Sequence, residues 1–265
     1  MDSIRKAELL ETLVADLCAE RGIEPPQSAD ADSLWGTFRA LVNTRPPIPV
    51  DSAWLAMQDE LLQGLIAEKG IGTPNVAEAF PNDSRLRLWR GDITTFAADA
   101  IVNAANSQML GCWVPGHHCI DNAIHTFAGV QLRAECASIM EVQGHEEPTG
   151  AAKITRAYNL PSKHVIHTVG PIANGHPSDL HREQLASCYR ACLDLAAEND
   201  LQSIAFCCIS TGVFGFPQEE AAKIAVRSVQ NWLETSQLNM VVVFNVFSRK
   251  DEAIYKGILA SAPQD

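Results

Sequence analysis

The sequence has no long apolar run, no secretory signal and no cluster of basic residues. Its longest apolar stretch, VVVFNVF near residue 244, is far shorter than the roughly 20 residues that a membrane-spanning helix needs. The opening MDSIRKAELLETL mixes charges and lacks an apolar core followed by small residues, so we expect no signal peptide. The net charge of −12, with 32 acidic against 20 basic residues, argues against a nucleic-acid surface but leaves room for a local basic patch. We therefore expect neither a membrane nor a nucleic acid as partner.

The eight cysteines do not suggest a disulfide framework. Cys188, Cys192, Cys207 and Cys208 lie within apolar patterns typical of a buried helix or strand, where a free thiol behaves as a small hydrophobic group. We therefore expect a reducing, cytoplasmic environment. With 265 residues, of which 46% are hydrophobic, the chain can bury a full core.

Residues 1–80 are predicted to form a helical N-terminal extension. Glycine- and proline-rich breaks separate three stretches with helical hydrophobic periodicity. The apolar positions of these stretches are Leu10, Leu13, Val14 and Leu17, then Leu34, Phe38 and Leu41, then Trp54, Leu61 and Leu65. The extension has no clustered His or Cys and no catalytic-looking pair, so we interpret it as a packing or partner-binding accessory that could still cover part of a cleft.

Residues 81–265 alternate between strand-like and helical patterns. Apolar runs of strand length include IVNAAN, HVIHTV, SIAFCCI and MVVVFNVF, and helical patterns cover residues 121–140, 179–198, 218–233 and 251–259. This alternation predicts an α/β domain with three layers (α/β/α) and a mixed, largely parallel, buried sheet. Such sheets bind ligands at the loops that leave the carboxyl ends of their strands.

Residues 111–125, GCWVPGHHCIDNAIH, hold a concentration of reactive side chains. Cys112, His117 and Cys119 follow a C-x4-H-x-C spacing, and residues two apart in an extended segment point the same way, so His117 and Cys119 could bind one ion. Cys112, on the other side of the turn at Pro115-Gly116, would supply the third protein ligand. Two thiolates and a neutral imidazole balance the charge of Zn²⁺ and leave a fourth position open, as in catalytic zinc sites. The alternative is a chance grouping in a polar loop, because the spacing matches no common zinc-finger pattern.

Three loops after strands carry further polar groups. In the first, GDIT, Asp92 could accept a hydrogen bond from the amino group of a base and the Ile93 N–H could serve a phosphate, or Asp92 could simply cap a helix. The second, residues 103–107, offers Asn carboxamides that suit sugar hydroxyls but are also ordinary turn residues. The third, residues 210–217, places glycines and N–H groups before a helix, which suits phosphate oxygens or a plain strand-to-helix turn.

Taken in order, GDIT, IVNAANS, the Cys/His stretch, AYNLP, HVIHTVGP and STGVFGFP resemble a macrodomain, the module that binds ADP-ribose. The resemblance covers roughly residues 85–259. Within that family, GCWVPGHHCIDNAIH is similar to the zinc-containing branch, microbial protein-ADP-ribose hydrolases with a helical N-terminal extension. The branch pattern implies Cys112, His117 and Cys119 as the zinc ligands. Other hydrolytic macrodomains have a glycine-rich run where this chain has the metal segment, so their mechanism does not carry over unchanged.

The resemblance also implies roles for the three loops. Asp92 would read the adenine amino group, the Ile93 N–H and residues 210–214 would hold the diphosphate, and Asn106 would face the distal ribose. Phe214 would pack against that ribose and Phe247 would flank the adenine. The implied substrate-binding residues are Asp92, Ile93, Asn106, Cys119, Ile120, Asp121, Ser210, Thr211, Gly212, Val213 and Phe214.

The implied reaction is hydrolytic removal of ADP-ribose from a modified protein, with an acyl-linked Asp or Glu as the expected acceptor. Asp121 and Asn106 are the candidate catalytic residues, Asp121 as general base or holder of the attacking water. Asp121 could also cap the helix that follows, and both roles can coexist. Asn122 would shape the site, and His125 would pack within the helix rather than complete the coordination of the metal.

Two other functions fit the same pattern. A reader would bind ADP-ribosylated partners without turnover, and zinc would only stabilise a loop. A deacylase would act on O-acetyl-ADP-ribose in the same pocket. The zinc-containing branch is associated with lipoate-linked ADP-ribosylation, so the resemblance also implies a lipoyl-carrier protein as a partner.

Overall fold

The computed structural model describes residues 1–27 and 30–260, so the last five residues of the predicted unit 81–265 lie outside the described part. Its first elements are α1 (Ser3–Arg21), α2 (Ala31–Asn43) and α3 (Ser52–Lys69). Each begins after an aspartate, Asp2, Asp30 or Asp51, whose carboxylate accepts a backbone N–H of the first turn. The three predicted helices are therefore confirmed, and the apolar positions named above are buried on them.

The sheet has seven strands among the described residues, in the order β1-β2-β7-β6-β3-β5-β4. These are β1 (Glu78–Phe80), β2 (Asp83–Arg90), β3 (Ala100–Ala105), β4 (Ala152–Arg156), β5 (His164–Val169), β6 (Ser203–Phe206) and β7 (Val241–Val246). The five central strands run parallel, and β1 and β4 are antiparallel edge strands. The predicted mixed, largely parallel sheet is confirmed. The three-residue β1 was not predicted, because it is too short to show alternation.

The remaining helices are α4 (Ile120–Ala128), α5 (Val130–Gln143), α6 (Asp179–Glu198), α7 (Gln218–Ser236) and α8 (Arg249–Ala260). α2 and α3 pack on α4, whereas α6, α7 and α8 pack in sequence with one another. The apolar faces of α1 to α3 belong to the same hydrophobic cluster as the inner residues of the sheet. None of the described helices is both long and apolar enough to cross a membrane.

The single helix predicted over residues 121–140 is wrong, because the structure divides it into α4 and α5 at Gly129. Gly129 has φ of +97°, and a Cβ there would lie 2.6 Å from Nε2 of Gln58. Gln58, on α3, accepts a hydrogen bond from the N–H of Val130 (2.9 Å) and so satisfies a free N–H in the first turn of α5. The glycine thus permits both the bend and the close approach of α3.

Candidate metal and ligand site

The three predicted metal ligands converge. Residues 111–119, which we call the metal segment, connect the end of β3 to α4 without regular secondary structure. Sγ of Cys112 lies 3.6 Å from Nδ1 of His117. These two atoms and Sγ of Cys119 all lie within 4.8 Å of one another. His118 is exposed and lies outside this group.

Local geometry explains the convergence. Gly116 has φ of +63°, and a hydrogen bond from the His117 N–H to the Val114 carbonyl (3.2 Å) closes the turn that brings Cys112 back towards His117. Sγ of Cys119 accepts the N–H of Asn122 (3.4 Å), so this thiol occupies the N-cap position of α4. Burial and the neighbouring Cys112 raise the pKa of the Cys119 thiol to about 12, although the Asn122 N–H opposes them. A divalent cation reverses this preference, because it binds the thiolate.

Asp121 lies in the first turn of α4 and is only 5% exposed. Nδ2 of Asn103 donates to its Oδ1 (2.8 Å), and Nδ2 of Asn106 lies 3.4 Å from its Oδ2. Burial raises the pKa of this carboxyl to about 6, while Asn103 and the charge of Arg133 act to lower it. The cap of α4 is Cys119, so the alternative role of Asp121 as helix cap is not observed.

Beneath Asp121 lies a buried polar layer that the sequence interpretation did not identify. The amide of Asn103 also contacts Nδ1 of His167 (3.1 Å), and Nε2 of His167 lies 3.0 Å from Oγ1 of Thr155. Burial lowers the pKa of His167 to about 3, so this imidazole is neutral. His125, Cys136 and His167 form a second, fully buried group of possible metal donors. Both ring nitrogens of His167 already have polar neighbours in Asn103 and Thr155.

Asp92, the residue predicted to bind the adenine amino group, follows β2 and already accepts hydrogen bonds from other residues of the protein. Its Oδ1 accepts from the N–H of Thr94 (3.0 Å) and from the Thr94 hydroxyl (2.6 Å), so it caps the short 3-10 helix Ile93–Thr95, as the plainer alternative predicted. Its Oδ2 accepts from Nζ of Lys69 on α3 (2.9 Å). Burial acts to raise the pKa of Asp92, but the bonds from Thr94 and Lys69 outweigh it and leave the pKa below its usual value.

The predicted phosphate loop, residues 210–217, joins β6 to α7. Ser210 has φ of +64°, and its buried Oγ has no hydrogen-bond partner in the described structure. The N–H of Phe216 donates to the Ser210 carbonyl (2.9 Å) and closes the loop. Thr211 and Phe214 are half-buried, whereas Gly212 and Val213 are exposed. The N–H of Thr211 donates to the Cys208 carbonyl (3.4 Å), and a loop that precedes a long helix is a suitable place for phosphate oxygens.

These loops meet at one edge of the sheet. Asp92 follows β2, Phe247 follows β7, Ser210 lies beyond β6, and Asn106 follows β3. The four strands are adjacent and parallel in the order β2-β7-β6-β3, so their carboxyl ends lie side by side. Phe247, the predicted neighbour of the adenine, is 78% exposed at this edge. The structure is thus an α/β domain whose candidate site contains a glycine-containing loop, three possible metal donors and a buried carboxylate.

Comparison with known proteins places the chain within one family. The Macro domain family matches residues 102–225. A protein-ADP-ribose hydrolase from Treponema medium is 51% identical over 260 residues, which span 97% of this chain and 98% of the relative. A protein-ADP-ribose hydrolase from Staphylococcus aureus (strain MRSA252) is 48% identical over 252 residues, 93% of each chain. The chain belongs to the macrodomain family.

Solved structures agree with that assignment. The Trypanosoma brucei macrodomain in complex with ADP-ribose superposes with a TM-score of 0.64 at 30% identity, covering 83% of this chain and 94% of that one. The Oceanobacillus iheyensis macrodomain with ADP has a TM-score of 0.61 at 41% identity, covering 69% of this chain and 94% of that one. The predicted macrodomain fold is therefore confirmed, while the roles of individual site residues stay predictions.

Proposed function

We propose that this protein hydrolytically removes ADP-ribose from ADP-ribosylated proteins, with acyl-linked Asp or Glu as the acceptor. Relatives named protein-ADP-ribose hydrolases match it over nearly their whole length, which supports the reaction class. The observation that carries the proposal is the convergence of Cys112, His117 and Cys119, with the buried carboxyl residue Asp121 only two positions after Cys119. That convergence unites three metal donors with a group able to accept a proton.

We further propose that Cys112, His117 and Cys119 hold a zinc ion. Two thiols and one imidazole form a donor set that zinc prefers, and their donor atoms already lie within 4.8 Å of one another. When bound, zinc would supply a Lewis acid to the reaction.

Asp121 is the residue that we expect to hold the attacking water and accept its proton. An ionised carboxylate only accepts hydrogen bonds, so it can orient a water molecule, and Asn103 and Asn106 hold its two oxygens in place. Hydrolysis adds the elements of water across the bond between the distal ribose and the acyl group, and the proton lost by water passes to Asp121. Asn106, whose Nδ2 donates to the Gly111 carbonyl (3.0 Å) and lies 3.4 Å from Oδ2 of Asp121, would contact the distal ribose.

The other loops would bind the rest of ADP-ribose. Asp92 is ionised, and its Oδ2 has a lone pair beyond the one used by Lys69, so it can still accept the adenine amino group. The chain carries a net charge of −12, so a dianionic diphosphate needs local positive potential. The N–H groups of residues 210–214 and the start of the 19-residue α7 would supply it without a lysine.

The test is release of ADP-ribose from proteins modified at Asp/Glu, at Ser or at Arg, measured with and without a zinc chelator. We expect release from the Asp/Glu-linked substrate and its loss after chelation, together with about one zinc per chain by elemental analysis. Full activity in chelator-treated protein without metal would refute the zinc proposal. O-acetyl-ADP-ribose as a further substrate tests the deacylase alternative.

A non-catalytic reader is the second candidate function. In a reader, Asp121 would be a structural group, buried and bonded to Asn103 and Asn106, and zinc would only stabilise the metal segment. A reader would bind free ADP-ribose and leave every modified substrate intact in the same incubation, whereas a hydrolase would release the modification.

A further inference from the structure

The metal segment is contacted by α2, a helix of the N-terminal extension. Arg39 on α2 donates through Nη2 to the carbonyl of His117 (2.8 Å) and to Oδ1 of Asn122 (2.9 Å). His117 is a proposed metal ligand, and the N–H of Asn122 bonds Sγ of Cys119, a second one. The Arg39 guanidinium therefore bonds both to the backbone of His117 and to Asn122, whose N–H bonds the sulfur of Cys119.

A second contact from α2 lies one turn further along the helix. Asn43, the last residue of α2, is 1% exposed. Its Oδ1 accepts the N–H of Gly116 (2.9 Å), and its Nδ2 donates to Oγ1 of Thr126 on α4 (2.9 Å). Gly116 immediately precedes His117 and has the positive φ on which the turn depends. Asn43 thus holds this turn at a set distance from α4.

Arg133 on α5 links the other side of the metal segment to the end of α2. Its Nη1 donates to the carbonyls of Val42 (2.9 Å) and Arg45 (2.7 Å), and its Nε donates to the carbonyl of Leu110 (2.6 Å). Its guanidinium also lies 4.2 Å from the ring centroid of Trp113. Arg133 therefore bonds both to carbonyls at and just after the end of α2 and to Leu110, which immediately precedes the metal segment.

We propose that α2 is part of the framework of the metal site, with Arg39 and Asn43 acting as positioning residues for Cys112, His117 and Cys119. This inference rests on the proposed function. The metal segment has no regular secondary structure of its own, so contacts from neighbouring helices determine where its donor atoms lie. Partners in the outer shell of a metal site orient the ligands and commonly change metal affinity when removed.

The experiment compares zinc affinity in full-length variants. Arg39→Ala removes both hydrogen bonds, and Arg39→Lys keeps a charge but loses the planar fork. Arg21→Ala is the matched control, because Arg21 donates to the Leu41 carbonyl (2.7 Å) and to the Thr44 hydroxyl (2.6 Å), and so also bonds the end of α2, without contacting the metal segment. Affinity is measured by competition with a chromophoric chelator, and thermal unfolding of the zinc-free proteins records any general loss of stability.

We expect Arg39→Ala to bind zinc about 10–100-fold more weakly, Arg39→Lys to lose less, and Arg21→Ala to match the wild type. Exchange of the amide hydrogens of Gly116 and His117 in zinc-free protein should be faster in Arg39→Ala than in the wild type or in Arg21→Ala. Unchanged affinity and unchanged exchange in Arg39→Ala would overturn the inference, as would an equal loss in Arg21→Ala. If the wild type bound no zinc, the zinc proposal would fail, and the exchange comparison would still decide whether α2 positions the segment.

Discussion

The neutral histidine beneath the site should make the stability of the fold depend on pH. His167 is 0% exposed, and burial lowers its pKa to about 3, against about 6.5 in an unfolded chain. Between these two pH values the unfolded state binds a proton that the folded state does not. The free energy of unfolding therefore falls as the pH is lowered through this range.

The magnitude follows from the two pKa values. Each pH unit inside the range costs about 1.4 kcal/mol for one group, so lowering the pH from 6.5 to 5 should cost about 2 kcal/mol through His167 alone. Burial also lowers the pKa of His125, which adds a loss of the same sign. Asp121 acts in the opposite sense, because its folded pKa of about 6 exceeds its unfolded value and the folded state gains a proton first.

Comparing the wild type with His167→Gln isolates the contribution of His167. Glutamine does not titrate, and its carboxamide can accept from Asn103 and donate to Thr155 as the imidazole does. The free energy of unfolding in urea is measured for both proteins at pH 7 and at pH 5, with chelator present throughout. The wild type should lose about 2 kcal/mol more than the variant between the two pH values. Equal losses would show that His167 is not held neutral by burial, whatever the absolute stability of the variant.

Three other substitutions test the site and its surroundings. Asp121→Asn should lower the rate of ADP-ribose release by at least about 100-fold while calorimetry still detects ADP-ribose binding, and wild-type turnover would remove Asp121 from the mechanism. Lys69→Met breaks a partly exposed ion pair, so the free energy of unfolding in urea should change by less than about 1 kcal/mol, and a larger change would contradict this view of the pair. Gly111→Ala should destabilise the fold by about 1–3 kcal/mol in the same assay, because φ is +78° and the new Cβ would lie 2.7 Å from the ring of His125. Gly22→Ala, with φ of +65° and open space around it, is its control and should cost less.

Hydrophobic periodicity predicted the elements that are long enough to show a period. The helix predicted over residues 179–198 has those bounds in the structure, and the apolar run MVVVFNVF contains β7. Periodicity failed at Gly129, because the apolar pattern continues across the break between α4 and α5. The positive φ of +97° at Gly129 is not visible in that pattern, and Gln58, which accepts the first N–H of α5, lies 71 residues before Gly129 in the sequence.

The candidate site divides in the same way between local and distant contacts. Cys112, His117 and Cys119 lie within eight residues of one another, so their spacing and the turn at Pro115-Gly116 were enough to predict that they converge. The contacts that the sequence did not reveal join residues far apart in the chain. Lys69 reaches Asp92 from 23 residues away and Arg39 reaches His117 from 78. Such pairs depend on how α2 and α3 pack, which no local pattern records.

The placement of α2 and α3 changes how the N-terminal helices are to be understood. The sequence interpretation treated residues 1–80 as an accessory, because they carry no catalytic-looking group. In the structure, α2 contacts the metal segment through Arg39 and Asn43, while α3 contacts the predicted adenine reader through Lys69. Their apolar faces also share one hydrophobic core with the sheet, so they cannot shift without disturbing it. The N-terminal helices therefore contact the metal segment through α2 and the predicted adenine reader through α3, although they carry no catalytic-looking group of their own.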